Sequence, residues 1–187
     1  LKGLKRDEGA RILEEDFDKV RDEIVAEQIK LGETQYNINK MAKAVKLFNL
    51  AYQLDSTQRY PYFMAAKSAI GYEDTAMGEP MYKNLLVWYA TDLEQNLEDT
   101  EQEVDVYTYF IDKYWKASKY DSAKYMIKEG RKHFENNAKI NFFHKSVVQD
   151  QIKSMPPSTL MLDYVQEAIA FNPADADLLN KENSLYI

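Results

Sequence analysis

The sequence predicts an all-α protein built of helical hairpins, and three observations carry that prediction. Apolar residues recur three, four and seven apart over most of the 187 residues, a spacing that gathers them on one face of a helix. Six glycines and five prolines are few for so long a chain, which argues against a loop-rich β fold. Groups of small and large apolar residues also return at matching offsets, with extra residues between some units, the mark of a divergent structural repeat.

The totals narrow the function classes. Apolar residues at 45% and charged residues at 29% suit a globular chain with one good core or a short array of repeats. A net charge of −7 disfavours nucleic acid, whose phosphates call for a basic surface. No apolar run approaches the ~18 residues of a membrane span. The absence of cysteine excludes disulfides and thiolate metal sites and leaves cytoplasmic and exported locations both open. The chain opens on Leu1 rather than Met, so the natural start is expected to lie upstream.

From Glu8 to Tyr36 there is no proline, and Leu13, Phe17, Val20, Ile24 and Leu31 stand at helical spacing among charged residues. That is an amphipathic helix, either one rod or two segments broken near Asp16, with a separate N-terminal helix over 1–24. Glu14-Glu15-Asp16 reads as its solvated face. Asn37-Ile38-Asn39 supplies a turn, and the next helix carries Ala44, Phe48 and Ala51 on one face before stopping at Leu54-Asp55-Ser56. Two small residues around one aromatic let another helix backbone come close while the ring fills the remaining space. The two helices make a hairpin.

The same spacings then recur. Ala65-Ala66 stands one full interval after Leu31-Gly32, with Tyr62 and Ala69 around it. A turn over Gly71–Gly78, about five residues longer than the first, leads to a helix faced by Leu86, Val87 and Ala90, with Pro80 in its first turn. A link from Glu94 to Asp105 lengthens the spacing further. Tyr107, Phe110-Ile111 and Tyr114 follow, and Ala123 lies thirteen after Phe110 as Ala44 does after Leu31. Ile127 and Gly130 take the places of Phe48 and Ala51. Within Ile140–Ile152 two registers compete, Ile140, Phe143 and Val147 against Phe142, Val148 and Ile152. Pro156-Pro157-Ser158 makes the next turn, with Ser158 as N-cap of a helix over Thr159–Phe171. Val165, Ala168 and Asn172-Pro173 restate the end of the unit, and Leu179 and Tyr186 restate its beginning. The pattern stops at Ile187 inside a first helix, which favours a natural chain that continues.

These residues together resemble the tetratricopeptide repeat, a helix-turn-helix unit of about 34 residues with a small pair, a tyrosine, an alanine, an aromatic and a terminal proline at set intervals. The likeness covers about two thirds of the chain. It implies a single domain over 1–187: an N-terminal helix at 1–24, repeats at 25–58, 59–97, 104–137 and 138–175, and a terminal helix at 176–187. Stacked hairpins of this kind form a right-handed α-α superhelix, a solenoid with one continuous core.

Chemistry is harder to find. The sequence has no phosphate-cradling glycine loop. His133 falls on a charged helix and reads as a surface histidine, while His144 sits among apolar residues and reads as packing. Asp175 and Asp177 lack the glycine and terminal glutamate of a calcium loop, and Asp175 reads as a helix cap. The expectation is a non-enzyme without cofactor or metal. Charge is uneven: seven acids and no Lys or Arg occupy Asp92 to Asp105, whereas Lys116, Lys119, Lys124, Lys128 and Arg131 crowd the stretch from Lys113 to Lys132. The plain reading is a solvated linker followed by polar helix faces. The sharper one is an acidic patch for a basic partner, or a basic strip for an acidic peptide.

The resemblance also implies a concave groove lined by the first helix of each unit. Carried over by position, its lining is Ile29, Glu33, Tyr36 and Asn37, then Phe63, Lys67 and Ile70, then Thr108, Asp112, Trp115 and Lys116. Tyr36, Phe63 and Trp115 among charges suit an extended or helical peptide with apolar anchors. The lysine and asparagine clamp by which some family members hold a C-terminal carboxylate is not reproduced at these places. The implied function is a non-catalytic scaffold that binds a protein or peptide. The alternatives are an assembly module, self-associating as a homo-oligomer or packing on a larger chain, and a small-ligand or glycan receptor.

Overall fold

A computed structural model describes residues 2–91, 97–156, 159–171, 173 and 176–185. Among the described residues the chain is all-helical, with nine helices and no strand. They are α1 (Lys2–Asn37), α2 (Met41–Leu54), α3 (Arg59–Gly71), α4 (Thr75–Thr91), α5 (Leu97–Lys116), α6 (Tyr120–His133), α7 (Ala138–Ser154), α8 (Thr159–Phe171) and α9 (Ala176–Leu185). No described helix is long and apolar enough to cross a membrane. The chain divides into two compact units, Leu1–Gln95 and Asn96–Ile187. The division falls at the end of the second expected repeat, before the third begins.

A single turn is used three times. Asn39, Glu73 and Ser118 have φ of 60°, 65° and 55°, the left-handed region that side-chain-bearing residues seldom enter. In each case the following N–H reaches back five positions, Lys40 to the Gln35 carbonyl, Asp74 to Ala69 and Lys119 to Tyr114. The left-handed residue itself bonds three back, to Tyr36, Ile70 and Trp115. This pair of bonds is the Schellman motif, which satisfies carbonyls orphaned at a helix end. Asn39 and Glu73 are separated by the same interval as Leu31 and Ala65, so the turn after α3 has the same length as the turn after α1. The longer Gly71–Gly78 turn expected from the glycines is corrected accordingly: Gly71 closes α3, and Gly78 lies inside α4.

That correction resets the register of α4. Its buried residues are Gly78, Met81, Tyr82, Leu85 and Tyr89, while Val87 is 63% exposed. Gly78, Tyr82 and Leu85 each fall one repeat interval after Ala44, Phe48 and Ala51, which are fully buried on α2. Ala123, Ile127 and Gly130 hold the same places on α6, and Met161, Val165 and Ala168 repeat the spacing on α8. Pro80 therefore stands in the second turn of α4, not the first, and removes the bond to the Ala76 carbonyl at an exposed position.

Other departures follow from local chemistry. α1 runs unbroken, so the separate N-terminal helix is the first part of the helix that also opens the first hairpin. No proline or glycine lies near Asp16 to stop it. The link expected over Glu94–Asp105 is helical from Leu97 on. Glu103 is fully buried there, its Oε1 3.3 Å from Nδ1 of His133. In α7 both competing registers contribute, with Ile140, Val147, Val148 and Ile152 buried and Phe142 exposed. Asn137 caps this helix by accepting from the N–H groups of Lys139 and Ile140. Leu178, not Leu179, enters the core with Met161, Val165 and Ala168. The expected roles of Pro157, Ser158, Asn172, Asp175 and Tyr186 lie outside the described residues.

In the first unit α1 packs on α2, α2 on α3 and α3 on α4. In the second, α5 packs on α6 and α7, α6 on α7, α7 on α8 and α8 on α9.

Two substitutions test this architecture. Glu73→Gly relieves the left-handed strain and should raise stability by roughly 1 kcal/mol in urea unfolding; no gain, or a loss, would contradict the shared turn. Gly78→Ala places a methyl 2.6 Å from Ile70 Cγ1 and 2.9 Å from the Ala66 carbonyl oxygen. It should cost about 1–3 kcal/mol by overpacking, and a neutral result would overturn the close approach of α3 and α4.

Candidate functional site

The groove residues expected from position divide between the two units: Ile29, Glu33, Tyr36, Asn37, Phe63, Lys67 and Ile70 in one, Thr108, Asp112, Trp115 and Lys116 in the other. In the first, the Tyr60 hydroxyl donates to Glu33 Oε1 at 2.6 Å. Tyr36 is half-buried, and Asn37 ends α1 exposed. Phe63, expected as an anchor on the surface, is only 3% exposed and stacks on Tyr82 with ring centroids 6.0 Å apart. Lys67 lies over the Phe63 ring at 5.2 Å, and Ile70 packs where a side chain on Gly78 would sit. Phe63 belongs to the core because it shortly precedes the small residues on which α4 closes.

The second group is equally engaged. Thr108 is 4% exposed and its hydroxyl donates back to the Val104 carbonyl at 2.9 Å. Asp112 and Lys116 form an ion pair of 2.7 Å along α5. Trp115 donates from Nε1 to Asp150 Oδ2 at 3.0 Å and meets Phe143 edge-on at 6.1 Å. Phe63 and Thr108 therefore offer a partner almost no surface, and Trp115 already serves to join α5 to α7.

A better-formed concavity lies wholly within the second unit, among α6, α7 and α8. It has a volume of about 830 Å³, in the range of ligand-sized clefts. One wall is Lys124, Lys128, Arg131 and Lys132 of α6; His144 and Glu167 come from α7 and α8. The four cations stand at i, i+4, i+7 and i+8, so they share one helix face. The first three each follow a core residue, Ala123, Ile127 or Gly130, by one position. The core face thus fixes where the basic stripe points.

The cations differ in how they are held. Lys124 is recessed, its side chain 17% exposed, with Nζ 3.8 Å from the centroid of Tyr164 and 3.9 Å from Asp121. Lys132 pairs with Glu129 at 2.7 Å. Nη1 of Arg131 is shielded from solvent. His144 is buried beside them, and its pKa is lowered to about 4 by burial first, then by Arg131 and Lys124. The imidazole is therefore neutral at neutral pH, a packing group in a positive field.

Sequence inspection found the basic stretch but not the cavity. The usable signal was the spacing of Lys124, Lys128 and Arg131 one residue past the small and apolar core positions. What it lacked was α8, which supplies the opposite wall.

The sign of the His144 shift gives a stability prediction. Above about pH 6.5 the ring is neutral in folded and unfolded chains and costs nothing. As pH falls toward 4, the unfolded chain takes up a proton that the folded one refuses, so stability falls by up to about 3 kcal/mol. Urea unfolding at about pH 7 and pH 4.5 should show a smaller loss for His144→Gln than for the wild-type chain. Equal losses would remove His144 from the account.

Comparison with protein-family models, with curated proteins and with solved structures gives no match.

Proposed function

We propose that this chain is a non-catalytic scaffold that binds another polypeptide, built from divergent tetratricopeptide-like hairpins stacked as a superhelix. One observation carries the reading: the same left-handed turn and a buried helix face with a small residue four before a large one recur, one repeat interval apart in the first unit and again in the second. Repeated hairpins present extended, preorganised surfaces, and such surfaces lower the ordering cost of holding a peptide. Fold analogy supplies the step from repeat to binding, and function rests on the surfaces themselves.

A second reading, self-association, is favoured by one specific feature. Phe17, Val20, Ile24 and Leu31 lie along one stripe of α1 at 74%, 53%, 40% and 41% exposure. An apolar stripe at this spacing is the kind of seam that two helices share. Under this reading the molar mass in solution rises with concentration and stays monomeric in a Phe17→Glu, Ile24→Glu variant.

The binding reading is tested by panning a random peptide display library on the immobilised chain. The expected outcome is enrichment of peptides that bind the folded protein saturably and not the urea-unfolded one. No enrichment, together with saturable thermal stabilisation by a member of a metabolite or glycan panel, would sink the scaffold reading in favour of a small-ligand receptor.

A further inference from the structure

The basic stripe of α6 is an arrangement that the helix does not favour by itself. Lys124 and Lys128, Lys128 and Lys132, and Lys128 and Arg131 are like-charged neighbours at i, i+4 or i, i+3. Each such pair destabilises the helix that carries it. An anion between them turns that repulsion into attraction. The chain as a whole carries −7, so a local excess of positive potential requires that the cavity's own acids be screened. Asp121 (87% exposed), Glu135 and Glu167 all face bulk water, whose high dielectric weakens their fields, although Asp121 stands 3.9 Å from Lys124 Nζ. Lys124 and Arg131, by contrast, are recessed, where the effective dielectric is lower and each charge acts more strongly. Tyr164 holds Lys124 by its ring face, which positions the ammonium without cancelling its charge.

A second, smaller cavity of about 350 Å³ shares Arg131 and His144 with the first. Its remaining wall mixes Asn141 and Lys145 with apolar residues, of which Phe142 presents the most surface at 64% exposure. A recessed cationic cleft beside an exposed ring matches a ligand that is both anionic and apolar over a few ångströms. A free phosphate would use only one end of it.

Resting on the scaffold reading above, we propose that the α6–α8 cleft seats an acidic polypeptide segment, its carboxylates on Lys124, Lys128 and Arg131 and a neighbouring apolar side chain against the exposed ring of Phe142. The neutral ring of His144 forms the floor between the two recesses. Because the cations flank the core face of α6, the packing of that helix fixes which way they point.

The test uses the full chain and a fluorescein-labelled peptide of six glutamates interrupted by one central leucine, followed by anisotropy at low and at physiological salt. Saturable binding that weakens with salt is expected, with tenfold or greater loss in Lys128→Glu. Lys83→Glu, the same charge change on α4 of the other unit, should leave binding within twofold of wild type. Arg131→Gln should match Lys128→Glu where circular dichroism shows it folded; Lys128 is exposed, so Lys128→Glu decides the matter if Arg131→Gln does not fold. Equal loss in Lys83→Glu and Lys128→Glu would overturn the site, as would equal binding of the glutamine version of the peptide. Displacement by inorganic phosphate at the peptide's own concentration would overturn the peptide assignment in favour of a small anion. If display yields peptides whose binding ignores Lys128→Glu and the acidic probe does not bind, the cleft fails and the scaffold reading stands. If neither binds, both fail.

Discussion

Phe48 is fully buried, and its ring atoms lie 2.8–3.0 Å from where a Cβ on Gly32 would be. α1 and α2 can therefore close on each other only because one of the two positions carries no side chain. Much of the first unit follows from this constraint. Small residues flank the ring along α2 at Ala44 and Ala51, so the helices meet backbone to ring over two turns. The second hairpin meets the same demand with Ala66, Gly78 and Tyr82, and the third meets it differently. There Ile111 stands in the place of Gly32, and Ile127 replaces the ring. The small position has grown and the large one has shrunk, so two branched side chains share the space that a ring fills in the first hairpin.

Charge is distributed by the same frame. Core positions on α6 dictate that the residues following them point to the cleft, and three of those are cations. On α5 the frame buries Glu103 beside His133, and burial together with this carboxylate and Glu129 pushes the Tyr107 phenol up to about 12. Asp55 shows the opposite environment. It is held by hydrogen bonds from the side chain and N–H of Thr57 and from Gln58, which lower its carboxyl pKa and fix the turn from α2 to α3.

The helical content, the hairpins and the core of α2 and α6 were legible because they depend on spacing within one helix. Ala44, Phe48 and Ala51 are 0% exposed, and Ala123, Ile127 and Gly130 are buried as their spacing implies. The turn after α3 was misjudged because Gly71 and Gly78 look like loop residues, whereas a Glu in the left-handed region gives no sequence signal. Reading Gly78 as loop shifted the α4 face from Tyr82 and Leu85 to Leu86, Val87 and Ala90. Phe63 and Trp115 were placed on a surface by analogy of position, and their neighbours Tyr82, Asp150 and Phe143 come from other helices.

The sequence by itself determined that this chain is helical, which faces of α2 and α6 are buried, and that the core spacing of the first hairpin returns in the second. These properties rest on short-range periodicity and on the volume of residues one turn apart, which any isolated segment already contains. Tertiary structure alone decided which aromatics have surface to offer, that Glu103 is buried, and that the basic residues of α6 line a cleft. Each of those depends on what a second or third helix brings to within a few ångströms, and residue spacing along one helix carries no record of that.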